Sequence, residues 1–221
     1  MKHPAIPYVA PFAAFMAFLI LERTFSLQVE VLYPIRAAVV CALIWLSRSV
    51  VSFRAANWLG SILLGIAVFV IWICPDALWP GYRDHWLFHN KIVGEVSGAI
   101  PDGAKSNFIF VLFRGLIGCT LAVPILEEIF WRGWLARWLV NSHDFREAPL
   151  GAYTQSSFWI GSLLFASEHG PYWEVGLIAG ILYNWWMIRT KNLANCIVTH
   201  MTTNGCLSVY VLAANQWQYW M

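Results

Sequence analysis

Residues 107–140 read NFIFVLFRGLIGCTLAVPILEEIFWRGWLARWLV. This predominantly apolar stretch is too long for one ordinary membrane crossing, which takes about 20 residues of helix. Pro124 can end or kink a helix within it. The stretch therefore predicts a membrane helix over 107–126. A span that begins near Gly118 and leaves Glu127 in mid-helix is the alternative.

The composition of the 221 residues extends this interpretation to the whole chain. Hydrophobic residues make up 59% and charged residues 12%, whereas an average soluble domain carries about 25% charged residues. So little charge predicts an integral membrane protein, organised as a single domain over 1–221. The net charge of +2 lacks the basic excess of a nucleic-acid binder, so nucleic acid is excluded as a partner.

The chain holds seven long apolar runs that are candidate membrane spans. They lie at 8–27, 31–47, 58–74, 107–126, 155–169, 173–188 and 193–213. A lipid-exposed backbone must satisfy its own hydrogen bonds, so these runs predict an all-α, polytopic transmembrane bundle of about seven to eight spans. Lysine and arginine are more frequent on the side of the N-terminus, which favours a cytoplasmic N-terminus. In a bacterium the location is the inner membrane.

Glu127, Glu128 and Arg132 form the first of three polar clusters in apolar context. An ionisable side chain at membrane depth is costly and marks a functional site by default. Glu128 and Arg132 are four residues apart with the acid first, the favourable order for an ion pair on a helix. Glu127 lies about 100 degrees around the axis and stays available as a base. A purely structural salt bridge is the other interpretation of the pair.

The second cluster is FASEH at 165–169, followed by Gly170-Pro171, which should stop or bend the helix. Phe165 and His169 share a helix face, so the ring can shield the imidazole from water. The third cluster is HMTTN at 200–204, in which His200 and Asn204 also share a face.

Together the three clusters suit hydrolysis. Glu127 and His169 can deprotonate a water, while His200 and Asn204 can donate hydrogen bonds to the oxyanion formed at a peptide carbonyl. His200 and Asn204 can equally tie helices together without chemistry.

These motifs resemble those of the CAAX-protease and bacteriocin-processing family of intramembrane proteases, which includes the Ras-converting CAAX endopeptidase. The family pattern is EExxxR, FxxxH and HxxxN on successive helices. Here the motifs read EEIFWR at 127–132, FASEH at 165–169 and HMTTN at 200–204. The resemblance covers about 107–213 and implies a glutamate-dependent intramembrane endopeptidase.

The resemblance also implies roles for the motif residues. Glu127 and His169 would activate water, and His200 and Asn204 would stabilise the tetrahedral intermediate. Supporting residues would be Glu128, Arg132 and Phe165. The implied partner is a membrane-anchored protein or peptide, with a C-terminal sorting tail preferred over a prenylated CAAX box if the chain is bacterial.

Two other chemistries stay open. Glu127, His169 and His200 have the ligand types of a catalytic zinc site, although no HExxH pair is present and no cofactor is expected. A non-catalytic membrane protein that binds a peptide or confers immunity would use the same polar pocket.

The predicted spans leave Glu127 and His169 at opposite ends of successive helices, yet catalysis needs them close together. We therefore expect the Glu127 helix to continue past Trp131. The His169 helix should be short, ending inside the membrane at Gly170-Pro171 beside a water-filled cavity.

Overall fold

The computed structural model describes residues 3–25, 29–94 and 102–220. Within these ranges the chain folds into seven helices of 13 or more residues, which confirms the all-α class. They are α1 (Ile6–Phe25), α2 (Val29–Leu46), α3 (Trp58–Leu78), α4 (Phe108–Val140), α5 (Gln155–Ser167), α6 (Trp173–Thr190) and α7 (Leu193–Ala214). A five-residue helix, Asp102–Ser106, precedes α4. Residues 95–101 lie outside the described residues.

Three helices, α3, α4 and α7, are long and apolar enough to cross a membrane. Shorter apolar segments, Ile6–Glu22 and Val31–Leu46, lie in α1 and α2. With 13 residues, α5 is about 20 Å long, less than the roughly 30 Å of a hydrocarbon core. These helices agree with an integral membrane protein, whereas the number of spans and their orientation stay predictions.

The helix α4 runs for 33 residues without a break. The prediction that it ends at residue 126 is wrong, and the alternative expectation that it continues past Trp131 is confirmed. Two segments, Leu112–Ala122 and Ile129–Leu135, have the wider turns of a π-helix. Pro124 follows the first wide segment and lacks the N–H that a residue inside a helix normally donates.

Both ends of α5 are fixed by local features. At its start, Thr154 and Ser157 form a reciprocal capping box, which satisfies two backbone donors. The helix ends at Ser167, and Gly170 then adopts a left-handed φ of 53°. A short turn, Gly170–Tyr172, leads into α6. His169 therefore lies on the turn between two antiparallel helices.

The helix α7 packs closely along α3. The hydroxyl of Thr203 donates to the carbonyl oxygen of Gly65 at 3.0 Å. A Cβ atom at Gly65 would lie 2.5 Å from the carbonyl oxygen of Thr199. Glycine at position 65 is thus what allows the helix that carries His200 to approach α3.

We expect Gly65→Ala to lower the free energy of unfolding by about 1–3 kcal/mol, because the added methyl group meets backbone rather than a flexible side chain. Chemical unfolding in detergent measures this. Gly103→Ala is the control, since a Cβ there meets nothing within 4 Å. Equal stability of the two variants would contradict the close approach.

Candidate active site

A buried ion pair joins Glu128 and Arg132 on α4. The guanidinium Nη1 donates to Oε1 of Glu128 at 3.0 Å. The Arg132 side chain is 1% exposed and that of Glu128 is fully buried. The structure thus contains the pair that the i,i+4 spacing predicts, made on one face of one helix.

The remaining donors of Arg132 reach α6. Its Nε donates to Oδ1 of Asn184 at 2.9 Å, and its Nη2 donates to the carbonyl oxygen of Gly180 at 3.2 Å. Asn184 in turn donates through Nδ2 to the Ser162 hydroxyl oxygen of α5 at 2.9 Å. One guanidinium and one carboxamide therefore connect three helices. Sequence reasoning missed Asn184, whose signal was a lone carboxamide in the apolar stretch ILYNWWM.

His200 of α7 completes this polar core. Its Nδ1 lies 3.0 Å from Oε1 of Glu128, the oxygen that also accepts from Arg132. Because a carboxylate only accepts hydrogen bonds, Nδ1 of His200 carries the proton. Its Nε2 faces Oε2 of Glu127 at 4.0 Å. The imidazole ring packs against Tyr183, with ring centroids 5.0 Å apart.

Glu127 differs from Glu128 in what binds it. The residue is 6% exposed. Its Oε2 is buried and has no hydrogen-bond partner in the described part of the chain. The single guanidinium of the cluster is held by Glu128, so the charge of a second carboxylate is not balanced by it. Oε2 of Glu128 is also buried without a partner in the described residues, so the two acids differ in that Glu128 alone is bonded to the guanidinium there.

His169 is oriented by the helix that it follows. Its Nδ1 lies 2.7 Å from the carbonyl oxygen of Phe165. Since a carbonyl accepts, Nδ1 donates and a neutral ring presents a lone pair at Nε2. The Phe165 ring lies 4.8 Å from His169 and 6.0 Å from His200, measured between ring centroids. Phe165 thus contacts both predicted imidazoles, each from a different helix.

Trp72 and Gly176 enclose His169 from two further helices. The indole of Trp72 on α3 meets the imidazole edge to face at 5.2 Å. A Cβ at Gly176 on α6 would lie 3.1 Å from the ring. Neither residue was predicted, because an apolar tryptophan and a helical glycine are ordinary in membrane helices.

Asn204 lies one turn after His200 on α7. Its Nδ2 donates to the carbonyl oxygen of Cys119 on α4 at 2.9 Å. The helix-tying contact that the sequence left open is therefore present, and it uses one of the two amide hydrogens. The other hydrogen is not engaged by this bond.

Glu168 adds a further acid beside the cluster. Its Oε1 accepts from the indole Nε1 of Trp131 at 3.0 Å. This bond ties the end of α5 to α4 at the level of the EEIFWR motif. The motifs assign Glu168 no defined role and do not predict its tryptophan partner.

The turn after His169 is held by an arginine from the segment that follows α3. The Nη1 of Arg83 donates to the carbonyl oxygen of Pro171 at 2.6 Å and lies 2.7 Å from Oε1 of Glu174. Its Nε donates to Oδ1 of Asp76 at 2.8 Å. The sequence motifs do not predict this role for Arg83.

Taken together, the structure groups Glu127, Glu128, Arg132 and His200 by direct contacts, and Phe165 links His169 to them. An acid with a free oxygen, two imidazoles and a carboxamide are the groups that activate water and stabilise an oxyanion. Within the described ranges, no three His, Cys, Asp or Glu side chains are grouped to hold a metal ion.

One comparison with known proteins gives a match. The family model described as type II CAAX prenyl endopeptidase, Rce1-like, matches residues 108–206. This range contains all three motifs and confirms the predicted resemblance. It supports an intramembrane protease activity and a membrane-embedded protein substrate. No curated protein and no solved structure matches the chain.

We expect Arg132→Met to lower the free energy of unfolding by about 3–5 kcal/mol, because it leaves the Glu128 carboxylate buried without its cation. Adding Glu128→Gln to this variant should recover part of the loss. Unfolding in detergent measures both changes.

The control is Arg146→Met in the exposed pair with Asp144, whose side chains are 60% and 30% exposed. It should change the free energy of unfolding by less than about 1 kcal/mol. An equal loss at positions 132 and 146 would be incompatible with a buried pair that organises the core.

Proposed function

We propose that the chain is a glutamic-type intramembrane endopeptidase of the Rce1-like type II CAAX prenyl endopeptidase family, whose model matches residues 108–206. Glu127 is its general base. The enzyme hydrolyses a peptide bond in a membrane-anchored protein.

The different environments of the two adjacent glutamates carry this proposal. Glu128 bonds through Oε1 to Arg132 and His200, whereas Glu127 makes no bond to the guanidinium in the described residues and its Oε2 faces Nε2 of His200 at 4.0 Å. Oε2 of each acid is buried without a hydrogen-bond partner in the described residues, so the ion pair with Arg132 is what distinguishes them. A polar separation of this size suits a bridging water. One carboxylate thus organises the site and the other is available for chemistry.

In the proposed reaction, Glu127 takes a proton from a water that also donates to Nε2 of His169. The water oxygen forms a bond to the carbonyl carbon of the substrate. The resulting oxyanion accepts hydrogen bonds from the second amide hydrogen of Asn204 and from Nε2 of His200, which enters the reaction with a proton on each ring nitrogen and keeps both throughout. When the C–N bond breaks, the proton on Glu127 passes to the leaving amine. The products are one carboxylic acid and one amine.

We extend the proposal to the substrate. The scissile bond lies near the C-terminus of a membrane-anchored protein, and a sorting tail fits better than a prenylated CAAX box if the chain is bacterial. Hydrolysis at this site then separates a tail from the protein that it anchors. The N-terminus of the enzyme faces the cytoplasm, as the distribution of basic residues predicts.

We expect Glu127→Gln to reduce cleavage at least about 100-fold, because the amide keeps the shape of the side chain and removes the base. His169→Ala should lose activity to a similar extent. The enzyme is co-expressed with a tail-anchored substrate, and mass spectrometry of the product terminus measures cleavage.

Glu147→Gln provides the matched control, since Glu147 is an exposed acid of the 141–149 loop that pairs with Asn141. It should retain wild-type cleavage. A product terminus that forms equally with Glu127→Gln and wild type would reject the proposed base. If Glu127→Gln also keeps full cellular function, a binding or immunity protein is the better interpretation.

We also propose that the reaction needs no metal ion, since no three His, Cys, Asp or Glu side chains of the described residues are grouped to hold one. Purified enzyme should then keep its activity with a strong chelator, as the rate of substrate cleavage would show. Loss of activity with chelator and recovery with zinc would favour the alternative metalloprotease that uses Glu127, His169 and His200.

A further inference from the structure

The carbonyl oxygen of Cys119 lacks the usual backbone donor for a reason that lies in the sequence. At the end of the wide segment Leu112–Ala122, the N–H of Val123 bonds to the carbonyl of Gly118, five residues back. In an ordinary α-helix this N–H would serve Cys119. If the next hydrogen bond also joined residues five apart, the donor to the Cys119 carbonyl would be residue 124. Residue 124 is a proline and has no N–H.

Asn204 supplies the donor that α4 cannot. Its Nδ2 bonds to the carbonyl oxygen of Cys119 at 2.9 Å. A backbone carbonyl without a donor is costly at membrane depth, where no water can replace the donor. The bond from Asn204 to the Cys119 carbonyl is therefore favoured. It fixes the orientation of the Asn204 carboxamide, which lies one turn beyond His200 on the same helix.

From this geometry we infer that Pro124 is a positioning residue for Asn204. Because Pro124 has no N–H, the Cys119 carbonyl accepts its hydrogen bond from the Asn204 carboxamide. This bond holds the carboxamide beside His200 and leaves its second amide hydrogen available. The catalytic part of the inference, in which the second amide hydrogen of Asn204 stabilises the oxyanion, rests on the proposed function. The structural part, a contact made possible by the missing N–H of Pro124, does not depend on that function.

The test is Pro124→Ala, which restores an N–H that can serve the Cys119 carbonyl. We expect kcat to fall about 10- to 100-fold with little change in KM, because a catalytic donor loses its orientation while substrate binding is retained. The free energy of unfolding should not fall, since alanine is the better helix residue. Lower activity at undiminished stability is a pattern that a merely structural role does not produce.

Pro34→Ala is the matched control, because Pro34 lies inside another apolar helix, α2. It makes the same chemical change and should leave kcat unaltered. If Pro124→Ala keeps the wild-type kcat, or if Pro34→Ala lowers kcat equally, the positioning role is overturned.

A second measurement does not depend on cleavage. Asn204→Ala is introduced into the wild type and into Pro124→Ala, and the four proteins are unfolded in detergent. In the wild type the substitution leaves the Cys119 carbonyl without a donor, whereas in Pro124→Ala the new backbone N–H replaces the amide. Asn204→Ala should therefore destabilise the wild type more than Pro124→Ala.

Equal destabilisation in the two backgrounds would overturn the inference even when the wild type is an active protease. If the destabilisation is unequal but the wild type cleaves no tail-anchored substrate, the contact made possible by Pro124 is supported and the proposed function fails. The two failures are thus separate results.

Discussion

The Oε1 atom of Glu128 accepts hydrogen bonds from Arg132 on its own helix and from His200 on α7. A fully buried carboxylate is tolerated in an apolar bundle when a cation balances its charge. Arg132 continues the connection to Asn184, and Asn184 continues it to Ser162. The buried carboxylate of Glu128 therefore bonds directly to α7 and is connected through Arg132 and Asn184 to α6 and α5. The position of His200 depends on this carboxylate.

This arrangement gives the adjacent residues Glu127 and Glu128 different surroundings. Glu128 lies on the face of α4 that Arg132 and His200 occupy, while Glu127, one residue earlier, keeps a free oxygen directed at the same imidazole. The division follows from helix geometry, because adjacent residues point about 100 degrees apart. An acid that stabilises the bundle and an acid that suits proton transfer are thus produced by one dipeptide in one helix.

Sequence patterns predict those parts of the site that depend on a single helix. The Glu128–Arg132 pair and the shared face of Phe165 and His169 follow from i,i+4 spacing alone. Contacts between helices do not follow from spacing, so Asn184 and the bond between Trp131 and Glu168 were missed. The end of α4 was mispredicted at 126 because a proline usually stops a helix. Pro124 instead lies just after the junction between a π-helical segment and an α-helical segment, and the helix continues. The turn that carries His169 was predicted, since Gly170-Pro171 is a strong local signal.

The short helix α5 has a consequence for the surrounding lipid. Its outward residues Trp159, Ile160, Leu163 and Leu164 are apolar and exposed, and a bilayer around them would have a hydrocarbon core of about 30 Å, thicker than α5 is long. Hydrophobic mismatch of this kind is relieved by local thinning of the bilayer. Headgroups and solvent would then lie closer to the turn at His169, and membranes with longer acyl chains would make that approach more costly.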